Sequence, residues 1–529
     1  MATIAQRRPA WSLPASVASG RLFAPLAIAG LMALTVLLRT QDFGVGFWID
    51  EGLSVGIADR PLSDIPAALR LDGSPPLYYA LLHVWISVFG STEEATHALS
   101  LVCAVLAVPA AWWAARGLFG ETAGLIAALL AATNPFLTHY AQETRMYALV
   151  ALIGVLACGT FGRAYVLAGT DLALPRAARR RWAAAFAVAL AALLYTHNWS
   201  LFFAAGCGVT WLALLAAARG ETRRELFLDG LVGFGGAVLL FSPWLPTLAF
   251  QVQHTGAPWS ASPGLDDLLE VPARLLGTVA QLALLLAAGA GAAVLLDRRA
   301  GGLPPRGRAL LAIGGLFLAT VLVAYAASQI APAWAARYLA VSLPALLLVI
   351  AGGLAHAGRL GVVAALVVAV LWLGESAPDH KSNVREISAE IAPSLKPGDL
   401  VVSTQPEQIP VLSYYLPEGL RYATLWGEVD DVGVTDWRDG VDRMRATSAP
   451  RDLEPLLEAM PRGSRVVLVE PIFSNLARWQ APWTELIRLR SSEWRQFVSN
   501  DPRLTALAVR PRGMESGINM LQATVLLKR

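Results

Sequence analysis

Long apolar stretches separated by short polar ones dominate the chain from residue 22 to residue 376. Most of these stretches are close to 20 residues long and carry few charges. Because a helix of about 20 apolar residues spans the hydrocarbon core of a bilayer, each stretch predicts a transmembrane helix. About eleven are predicted, at residues 22–40, 97–115, 121–139, 147–168, 183–198, 200–218, 226–249, 268–296, 309–329, 338–357 and 359–376.

The apolar stretch at 75–90, PPLYYALLHVWISVFG, departs from this pattern because it is short and begins with two prolines. Counting it as a span would also move every later basic loop to the opposite side of the membrane. We therefore predict an interfacial helix that lies on the outer face of the membrane with its aromatic side down. It forms part of a long outer loop at 41–96.

Basic residues in alternate loops predict the orientation of the spans, since short loops rich in Lys and Arg favour the cytoplasmic side. The N-terminus is then cytoplasmic, and the outward loops hold most of the acidic, histidine and aromatic residues near the membrane. The basic N-terminal segment resembles a signal peptide but lacks a small-residue cleavage pattern, so we predict an uncleaved first span. The arginines of the predicted inner loops are Arg7, Arg8, Arg21, Arg116, Arg176, Arg179, Arg180, Arg181, Arg219, Arg223, Arg224, Arg298, Arg299, Arg306, Arg308 and Arg359.

The composition changes after Ser376, where shorter helix and strand patterns replace the long apolar stretches. The segments DLVVST, GSRVVLVEPIF and NMLQATVLLKR are typical of strands, and EISAEIAPSLK is typical of a helix. We predict a transmembrane domain at 1–376 and a soluble α/β domain at 377–529. An odd number of spans puts the second domain outside the cytoplasm.

The overall composition agrees with a polytopic α-helical membrane protein. The chain is 55% hydrophobic and only 15% charged, below the ~25% charged residues of soluble domains. A formal net charge of +3 gives no indication of nucleic acid as a partner. Cys103, Cys158 and Cys207 lie inside apolar stretches at spacings that fit no metal site, so we expect buried thiols and no disulfide framework.

Two adjacent carboxylates follow the first span in the sequence GFWIDEGLSV. Carboxylates at a low-dielectric surface are unfavourable unless they have a partner or a function. Asp50 and Glu51 are therefore candidates for catalysis, and a solvated pair just beyond the lipid headgroups is the alternative. Asp72 lies in the same loop before a rigid Pro-Pro corner, and a simple Asp-Gly turn is its alternative.

Arginine residues at the outer ends of spans run against the usual charge bias and need an explanation. Glu143 and Arg145 lie between two spans in YAQETRMY, and Arg337 begins a later span in AARY. One interpretation is a structural ion pair with Glu143 or Asp50. The other is binding of an anionic group, because guanidinium groups match the geometry of phosphate.

Other side chains near the same surface offer hydrogen-bond donors and ring faces. Tyr147 and Tyr338 follow the two arginines, and His197 and His254 lie at outer helix ends. A histidine at a helix end is often purely structural, and the aromatic residues also suit an ordinary interfacial belt. Stacking of a sugar on one or two of the outer tryptophans is the functional alternative.

The order of these motifs resembles that of the C-type glycosyltransferases. FWIDE in a long first outer loop, then SPPLYY, AQETRMY and a late RYL, are similar to motifs of a family 39-like bacterial group. That group comprises relatives of protein O-mannosyltransferase and of lipid A aminoarabinose transferase. The resemblance covers roughly residues 20–375 and implies the C-type glycosyltransferase fold in a multi-pass protein of the bacterial inner membrane.

The resemblance implies transfer of a sugar from a polyprenyl-phosphate donor to a cell-envelope glycolipid, polysaccharide or protein on the outer face of the membrane. Asp50 would act as the catalytic base beside Glu51, and the arginines would stabilise the departing phosphate. The Ala- and Arg-rich composition suggests a high-GC bacterium, in which decaprenyl-phosphate mannose or arabinose would be candidate donors. The implied substrate-binding residues are Asp72, Glu143, Arg145, Tyr147, His197, Arg337 and Tyr338.

The chain departs from the group at two positions and leaves some alternatives open. Ser74 and His97 stand where many members carry a His and an Arg. QETRMY also replaces the Arg-Tyr-Leu-Leu-Asp pattern of the eukaryotic protein mannosyltransferases, so we expect a glycolipid or polysaccharide acceptor ahead of a protein. We expect no cofactor, although Asp50, Glu51 and Asp72 would also suit a divalent metal.

Two other functions are compatible with parts of the sequence. A transporter or flippase for lipid-linked sugars would carry ionisable residues along the midplane of its helices, whereas charge here gathers at one face. A membrane-anchored receptor would use residues 377–529 but leaves the charged outer loops unexplained.

Overall fold

Helices make up most of the molecule, whose structure is a computed structural model. The predicted boundary at 376/377 lies outside the described residues. Five predicted inner-loop arginines also lie outside them: Arg7, Arg8, Arg21, Arg298 and Arg299. The described residues are 22–41, 43–278, 280–297, 303–374, 381–473, 476, 479–511 and 519–529.

Each apolar segment that the sequence predicts as a span contains a helix. In the described part of the chain, five helical stretches are long and apolar enough to cross a membrane, and six further apolar helices are shorter. The protein is a multi-pass membrane protein, and the number of crossings stays a prediction. The five long stretches are Glu93–Phe119, Tyr147–Val166, Ser200–Ala217, Gly220–His254 and Pro305–Ile330.

The predicted outer loop at 41–96 contains three helices, α2 to α4 in the following series. Up to residue 217 the helices are α1 (Phe23–Leu38), α2 (Ile49–Ala58), α3 (Ile65–Asp72), α4 (Leu77–Phe89), α5 (Glu93–Phe119), α6 (Glu121–Thr133), α7 (Pro135–Tyr140), α8 (Tyr147–Phe161), α9 (Arg176–Leu194) and α10 (Ser200–Ala217). The predicted interfacial helix is α4, which has 13 residues and is about 20 Å long. It is shorter than the ~30 Å hydrocarbon core of a bilayer.

The later membrane helices are more often interrupted. They are α11 (Gly220–Gly230), α12 (Gly236–Phe241), α13 (Leu245–His254), α14 (Leu265–Leu269), α15 (Val271–Leu276), α16 (Ala280–Leu296), α17 (Pro305–Ile330), α18 (Leu343–His356) and α19 (Arg359–Trp372). The prediction of one continuous span at 268–296 is wrong, because α14, α15 and α16 divide this segment. Pro272 lies in the first turn of α15, the part of a helix in which proline is tolerated.

The described residues beyond 381 contain one sheet of six strands in the order β3-β2-β1-β4-β6-β5. The strands are β1 (Leu400–Ser403), β2 (Arg421–Thr424), β3 (Gly427–Glu428), β4 (Arg465–Pro471), β5 (Leu504–Arg510) and β6 (Leu521–Lys528). The strand β1 pairs in parallel with β2 and β4, and the other pairs are antiparallel. The three strands that the sequence predicts are β1, β4 and β6.

Helices cover both faces of this sheet. They are α20 (Val384–Ile391), α21 (Ile409–Tyr415), α22 (Gly440–Ala446), α23 (Ala449–Asp452), α24 (Glu454–Ala459) and α25 (Pro482–Asn500). Because side chains alternate along a strand, Val401 joins the core shared with the membrane helices, whereas Leu400 and Val402 pack with Trp483 of α25.

The sheet region contacts the membrane region most closely where α21 lies against α2. At Gly52 of α2, an added Cβ would overlap both the side chain and the backbone of Val411 in α21. The absence of a side chain at Gly52 therefore allows this close approach, which joins the two regions through a continuous apolar core.

Candidate active site

The adjacent carboxylates of GFWIDEG lie in the first turn of α2, where acidic residues interact favourably with the helix dipole. Successive residues of an α-helix point about 100° apart, so the two side chains leave the helix in different directions. Asp50 lines a cavity, whereas Glu51 is fully buried in the protein. The pair therefore divides into two different environments.

Asp50 lies between two arginine side chains. Its Oδ2 atom is 3.7 Å from Nη2 of Arg145 and 3.7 Å from Nη2 of Arg337. Arg145 is oriented by its Nη1, which donates to the carbonyl of Asp50 at 3.2 Å and to the hydroxyl of Ser54 at 3.0 Å. The Nε atoms of both arginines are buried and have no hydrogen-bond partner among the described residues.

Both arginines stay charged in this buried setting. Burial alone lowers the pKa of Arg145 and that of Arg337, but the Asp50 carboxylate and the neighbouring tyrosines together outweigh burial and raise both pKa values above the usual range. Arg337 also lies over the ring of Trp48, with the guanidinium carbon 5.6 Å from the ring centroid. The site thus presents two fixed cations with unused N–H groups, which suits an anionic ligand.

Glu51 is held by a set of donors inside the protein. Its Oε1 accepts hydrogen bonds from His97 Nε2 at 2.7 Å, from the Thr144 backbone at 2.8 Å and from Lys381 Nζ at 2.8 Å. Burial raises the pKa of Glu51, but Lys381 and His97 outweigh it and hold the pKa at about 2. Glu51 does not line the cavity, and its contacts fix α2 against its surroundings.

The first six residues of the AQETRMY motif, 141–146, form the non-helical connection between α7 and α8, and consecutive residues anchor different neighbours. The backbone carbonyl of Gln142 accepts a hydrogen bond from Lys381 Nζ at 2.7 Å. The Ser100 hydroxyl donates one to the backbone carbonyl of Glu143 at 2.6 Å. The backbone N–H of Thr144 donates to Glu51, and the side chain of Arg145 reaches Asp50. This explains why the motif is a run of polar residues in an apolar region.

Glu143 and Tyr147, both predicted to bind substrate, lie beside the cavity but do not line it. Oε1 of Glu143 is 3.3 Å from Nε2 of His139. The Tyr147 ring packs on Tyr140 and His197 with centroid distances of 4.8 Å and 5.7 Å. Tyr147 thus supports the cavity wall from behind through His197, whereas Glu143 pairs with a residue outside the wall.

Asp72 is buried at the cavity wall, at the end of α3. Gly73, with φ of 97°, turns the chain there in a left-handed conformation that favours glycine. Burial raises the pKa of Asp72 from 3.8 to about 6, with Ser74 opposing the shift. Its Oδ2 has no hydrogen-bond partner among the described residues. A buried carboxyl oxygen that lacks a partner at a cavity is a marker of a functional site.

His197 is a neutral donor at the same cavity. Burial, together with Arg145 and Arg337, lowers the pKa of His197 to about 3. Its Nδ1 accepts from the Trp199 backbone at 3.1 Å, so the hydrogen resides on Nε2. Tyr338 packs against this ring with a centroid distance of 5.0 Å.

The cavity has a volume of about 680 Å³, within the range of ligand sites. Its wall on the membrane side is apolar, with Leu201, Phe202, Leu248 and Val252, and its far side is built by the sheet region, with Gln405, Glu407 and Trp437. Six predicted site residues line it between these ends: Asp50, Asp72, Arg145, His197, Arg337 and Tyr338.

Several residues of the site escape the sequence analysis. Lys381 lies in a segment whose composition carries no signal for a buried amine. Gln405 and Glu407 follow the buried strand β1 directly, and such a polar run at the carboxyl end of a strand is a recognisable signal. His254, which the sequence offers as a further hydrogen-bond donor, has its Nδ1 atom 3.2 Å from Oδ1 of Asp439.

The carboxylates that would also suit a metal do not converge. Asp50 faces two arginines, and Glu51 points away from the cavity that Asp50 and Asp72 line. Among the described residues, no group of three or more His, Cys, Asp or Glu side chains is arranged to hold a metal ion.

Solved structures with the same architecture identify the fold. ArnT from Cupriavidus metallidurans in the apo state has a TM-score of 0.59 at 15% identity, covering 86% of this chain and 93% of that chain. ArnT bound to undecaprenyl phosphate has a TM-score of 0.59 at 14% identity, covering 87% and 94%. The Archaeoglobus fulgidus oligosaccharyltransferase tethered with an acceptor peptide has a TM-score of 0.59 at 11% identity, covering 89% and 72%. No family model and no curated protein matches the chain.

In this chain, a helical membrane region and a smaller sheet region enclose a cavity between them. The similar structures are C-type glycosyltransferases. This chain has the C-type glycosyltransferase fold, so the predicted resemblance to that group is confirmed, whereas the count of about eleven spans and the extracytoplasmic position of the second domain stay predictions. At these sequence identities, the likeness concerns the fold alone.

Proposed function

We propose that this protein transfers a sugar from a polyprenyl-phosphate donor to an acceptor hydroxyl, on the extracytoplasmic face of a bacterial cell membrane. The observation that carries the proposal is the arrangement around Asp50. One carboxylate lies 3.7 Å from two guanidinium groups, both with unpartnered Nε atoms. They lie in a cavity whose membrane side is apolar, which suits a lipid chain that ends in a phosphate.

In the proposed reaction, the acceptor oxygen forms a bond to the anomeric carbon of the sugar. The bond between that carbon and the donor phosphate oxygen breaks, and its electron pair leaves with polyprenyl phosphate. Asp50 takes the proton of the acceptor hydroxyl. Arg145 and Arg337 stabilise the charge of the departing phosphate, and His197 Nε2 donates to it.

The remaining predicted residues take supporting roles in this proposal. Glu51, predicted as a second catalytic residue, holds α2 and thereby positions Asp50. Asp72 and Tyr338 contact substrate from the cavity wall. Glu143 and Tyr147, predicted to bind substrate, act through Arg145 and His197 instead.

The fold shared with ArnT supports the donor class, because ArnT has been solved bound to undecaprenyl phosphate. The acceptor is proposed to be a cell-envelope glycolipid, polysaccharide or protein, and the sheet region at 377–529 is proposed to lie on the same extracytoplasmic side. A flippase is not favoured. Asp229, the notable charge in a later span, is paired with Arg179 at 2.9 Å and does not line the cavity.

The test uses purified protein reconstituted into liposomes and supplied with a panel of undecaprenyl-phosphate sugars together with methyl glycosides as acceptors. Release of undecaprenyl phosphate is measured for the wild type, for Asp50→Asn and for Asp59→Asn, an exposed control just beyond the same helix. We expect release from at least one donor. General-base catalysis contributes about 10²–10⁴-fold, so Asp50→Asn should lower the rate by about that factor and the control should not.

Donor binding is tested separately with Arg337→Gln and undecaprenyl phosphate. Loss of a charge-assisted hydrogen bond should weaken binding roughly tenfold or more. Wild-type turnover by a folded Asp50→Asn protein would refute the role of Asp50. Movement of intact donor across the membrane without release would support a flippase instead.

A further inference from the structure

The sheet region turns the carboxyl ends of its parallel strands toward the cavity. Gln405 and Glu407 follow β1, and Trp479 lies beyond β4; all three line the cavity. In open α/β sheets, ligands bind outside the carboxyl ends of the parallel strands. The same edge therefore has the geometry of a binding surface and faces Asp50 across the cavity.

Glu407 is the charged group of this surface. Its Oε1 accepts from Trp483 Nε1 at 3.0 Å and from Gln405 Nε2 at 3.0 Å. Both donors reach the same oxygen, and Oε2 is buried without a hydrogen-bond partner among the described residues. The Glu407 residue is 6% exposed, so its orientation is fixed and one oxygen remains for a ligand.

Glu407 also lies close to the proposed base. The short 3₁₀ turn at Pro406–Gln408 packs directly against α2, which carries Asp50. Burial raises the pKa of Glu407, and the Asp50 charge adds to the shift. Hydroxyl donors from a ligand would satisfy the free oxygen and offset this unfavourable burial.

Aromatic rings border the same part of the cavity. Trp259 and Trp437 both line it, with their ring centroids 4.7 Å apart. A sugar has a C–H face and a set of hydroxyl groups. Flat apolar rings can pack against the first, and a fixed carboxyl next to them can bind the second.

We propose that Glu407 is a specificity-determining residue that binds hydroxyl groups of an acceptor saccharide, with Trp259 and Trp437 beside it. The inference rests on the proposed glycosyl transfer and names the acceptor class as a carbohydrate. The acceptor hydroxyl that reacts is then held between Glu407 on the sheet side and Asp50 on the membrane side.

Binding of methyl mannoside and methyl arabinofuranoside is measured by saturation-transfer NMR with the full chain in detergent. The variants are Glu407→Ala and Glu407→Gln, and the matched control is Glu470→Gln. Glu470 is a buried glutamate of the same sheet that pairs with Arg495 and does not line the cavity.

We expect the wild type and the control to bind at least one glycoside. Glu407→Ala should weaken binding at least about tenfold, and Glu407→Gln should weaken it less because the amide still accepts from Trp483. Wild-type affinity in Glu407→Ala would overturn the proposal, as would absence of glycoside binding by the wild type. Should Glu407→Ala fail to fold, wild-type affinity in Glu407→Gln overturns it.

Two further arms assign the subsite and separate the proposals. In the first arm, Asp50→Asn protein is loaded with undecaprenyl-phosphate mannose, and we expect an acceptor glycoside to remain bound. Displacement of the glycoside by this donor would place Glu407 at the donor sugar and overturn the acceptor assignment. Undecaprenyl phosphate binding is measured in parallel on all proteins. Failure of the wild type to bind undecaprenyl phosphate defeats the proposed function. If the wild type binds it but the Glu407 variants keep wild-type affinity for the glycosides, this inference alone is defeated.

Discussion

Asp50, Glu51 and Asp72 are three carboxyl groups within a short part of the chain, yet their surroundings differ sharply. Glu51 meets His97 and Lys381, which outweigh burial and hold its pKa at about 2. Asp72 has no such cation in contact, and burial raises its pKa to about 6. Asp50 lies 3.7 Å from each of two arginines that line the same cavity. Position in the structure, and not residue type, separates the anchoring carboxylate from the two that line the cavity.

Asp72 should make stability depend on pH. The pKa of Asp72 rises from 3.8 to about 6 in the fold, so the unfolded chain releases this proton first as pH rises. The folded protein is thus penalised from about pH 4 upward, and the penalty levels off above about pH 6 at roughly 3 kcal/mol. Asp72→Asn should therefore raise the thermal midpoint at pH 8 but not near pH 4.

This prediction is checked by thermal unfolding in detergent at both pH values, with exposed Asp59→Asn as the control. An equal shift of Asp72→Asn at both pH values would show that charge burial is not the cause.

The helix α2 is the element that brings the site together. Its inner face is anchored by Glu51 to the AQETRMY connection and to Lys381. Its other contacts are with α21 and with the 3₁₀ turn that carries Glu407. A helix fixed on several sides holds Asp50 in one orientation, as catalytic groups require.

Removal of Lys381 should loosen this helix. Lys381→Met leaves Glu51 buried without one of its cations, and breaking a buried pair costs about 3–5 kcal/mol. We expect a lower thermal midpoint and reduced transfer, with partial recovery in the double variant Lys381→Met/Glu51→Gln. The exposed residue Lys396, changed to Met, serves as the control.

A double variant no more stable than Lys381→Met alone would mean that the lysine acts independently of Glu51. Thermal unfolding of the wild type, of Lys381→Met, of Glu51→Gln and of the double variant measures this coupling.

The membrane helices and the sheet region form one continuous core, and the cavity lies where they meet. Each region alone supplies only half of the site: the cations and Asp50 come from one, and Glu407 from the other. Docking of the two regions is therefore part of building the site, and it depends on the contact between α2 and α21.

Gly52→Ala should disturb this docking. The added Cβ would overlap the backbone of Val411, which cannot move aside as a flexible side chain does. We expect faster tryptic cleavage within residues 381–529 and lower transfer activity. Gly208→Ala is the matched control, because nothing lies within 4 Å of a Cβ added there. Unchanged cleavage and activity in Gly52→Ala would contradict this account of the docking.

Much of the architecture follows from local patterns. Every predicted apolar segment contains a helix, because a bilayer imposes a length and a composition on each span separately. The strands β1, β4 and β6 were equally visible from alternating and buried runs. The break within 268–296 was missed, since apolar composition by itself does not show where short helices end.

The residues that gather at one surface were also evident from the chain alone: outward arginines, a carboxylate pair and aromatic side chains, all placed by charge bias at one face. Only the tertiary structure decides which of two adjacent carboxylates enters the cavity and which is buried against Lys381. It also decides that Glu407, distant in sequence, faces Asp50. Spans and strands are set by short-range periodicity, whereas these pairings depend on how separate elements pack, which no local pattern encodes.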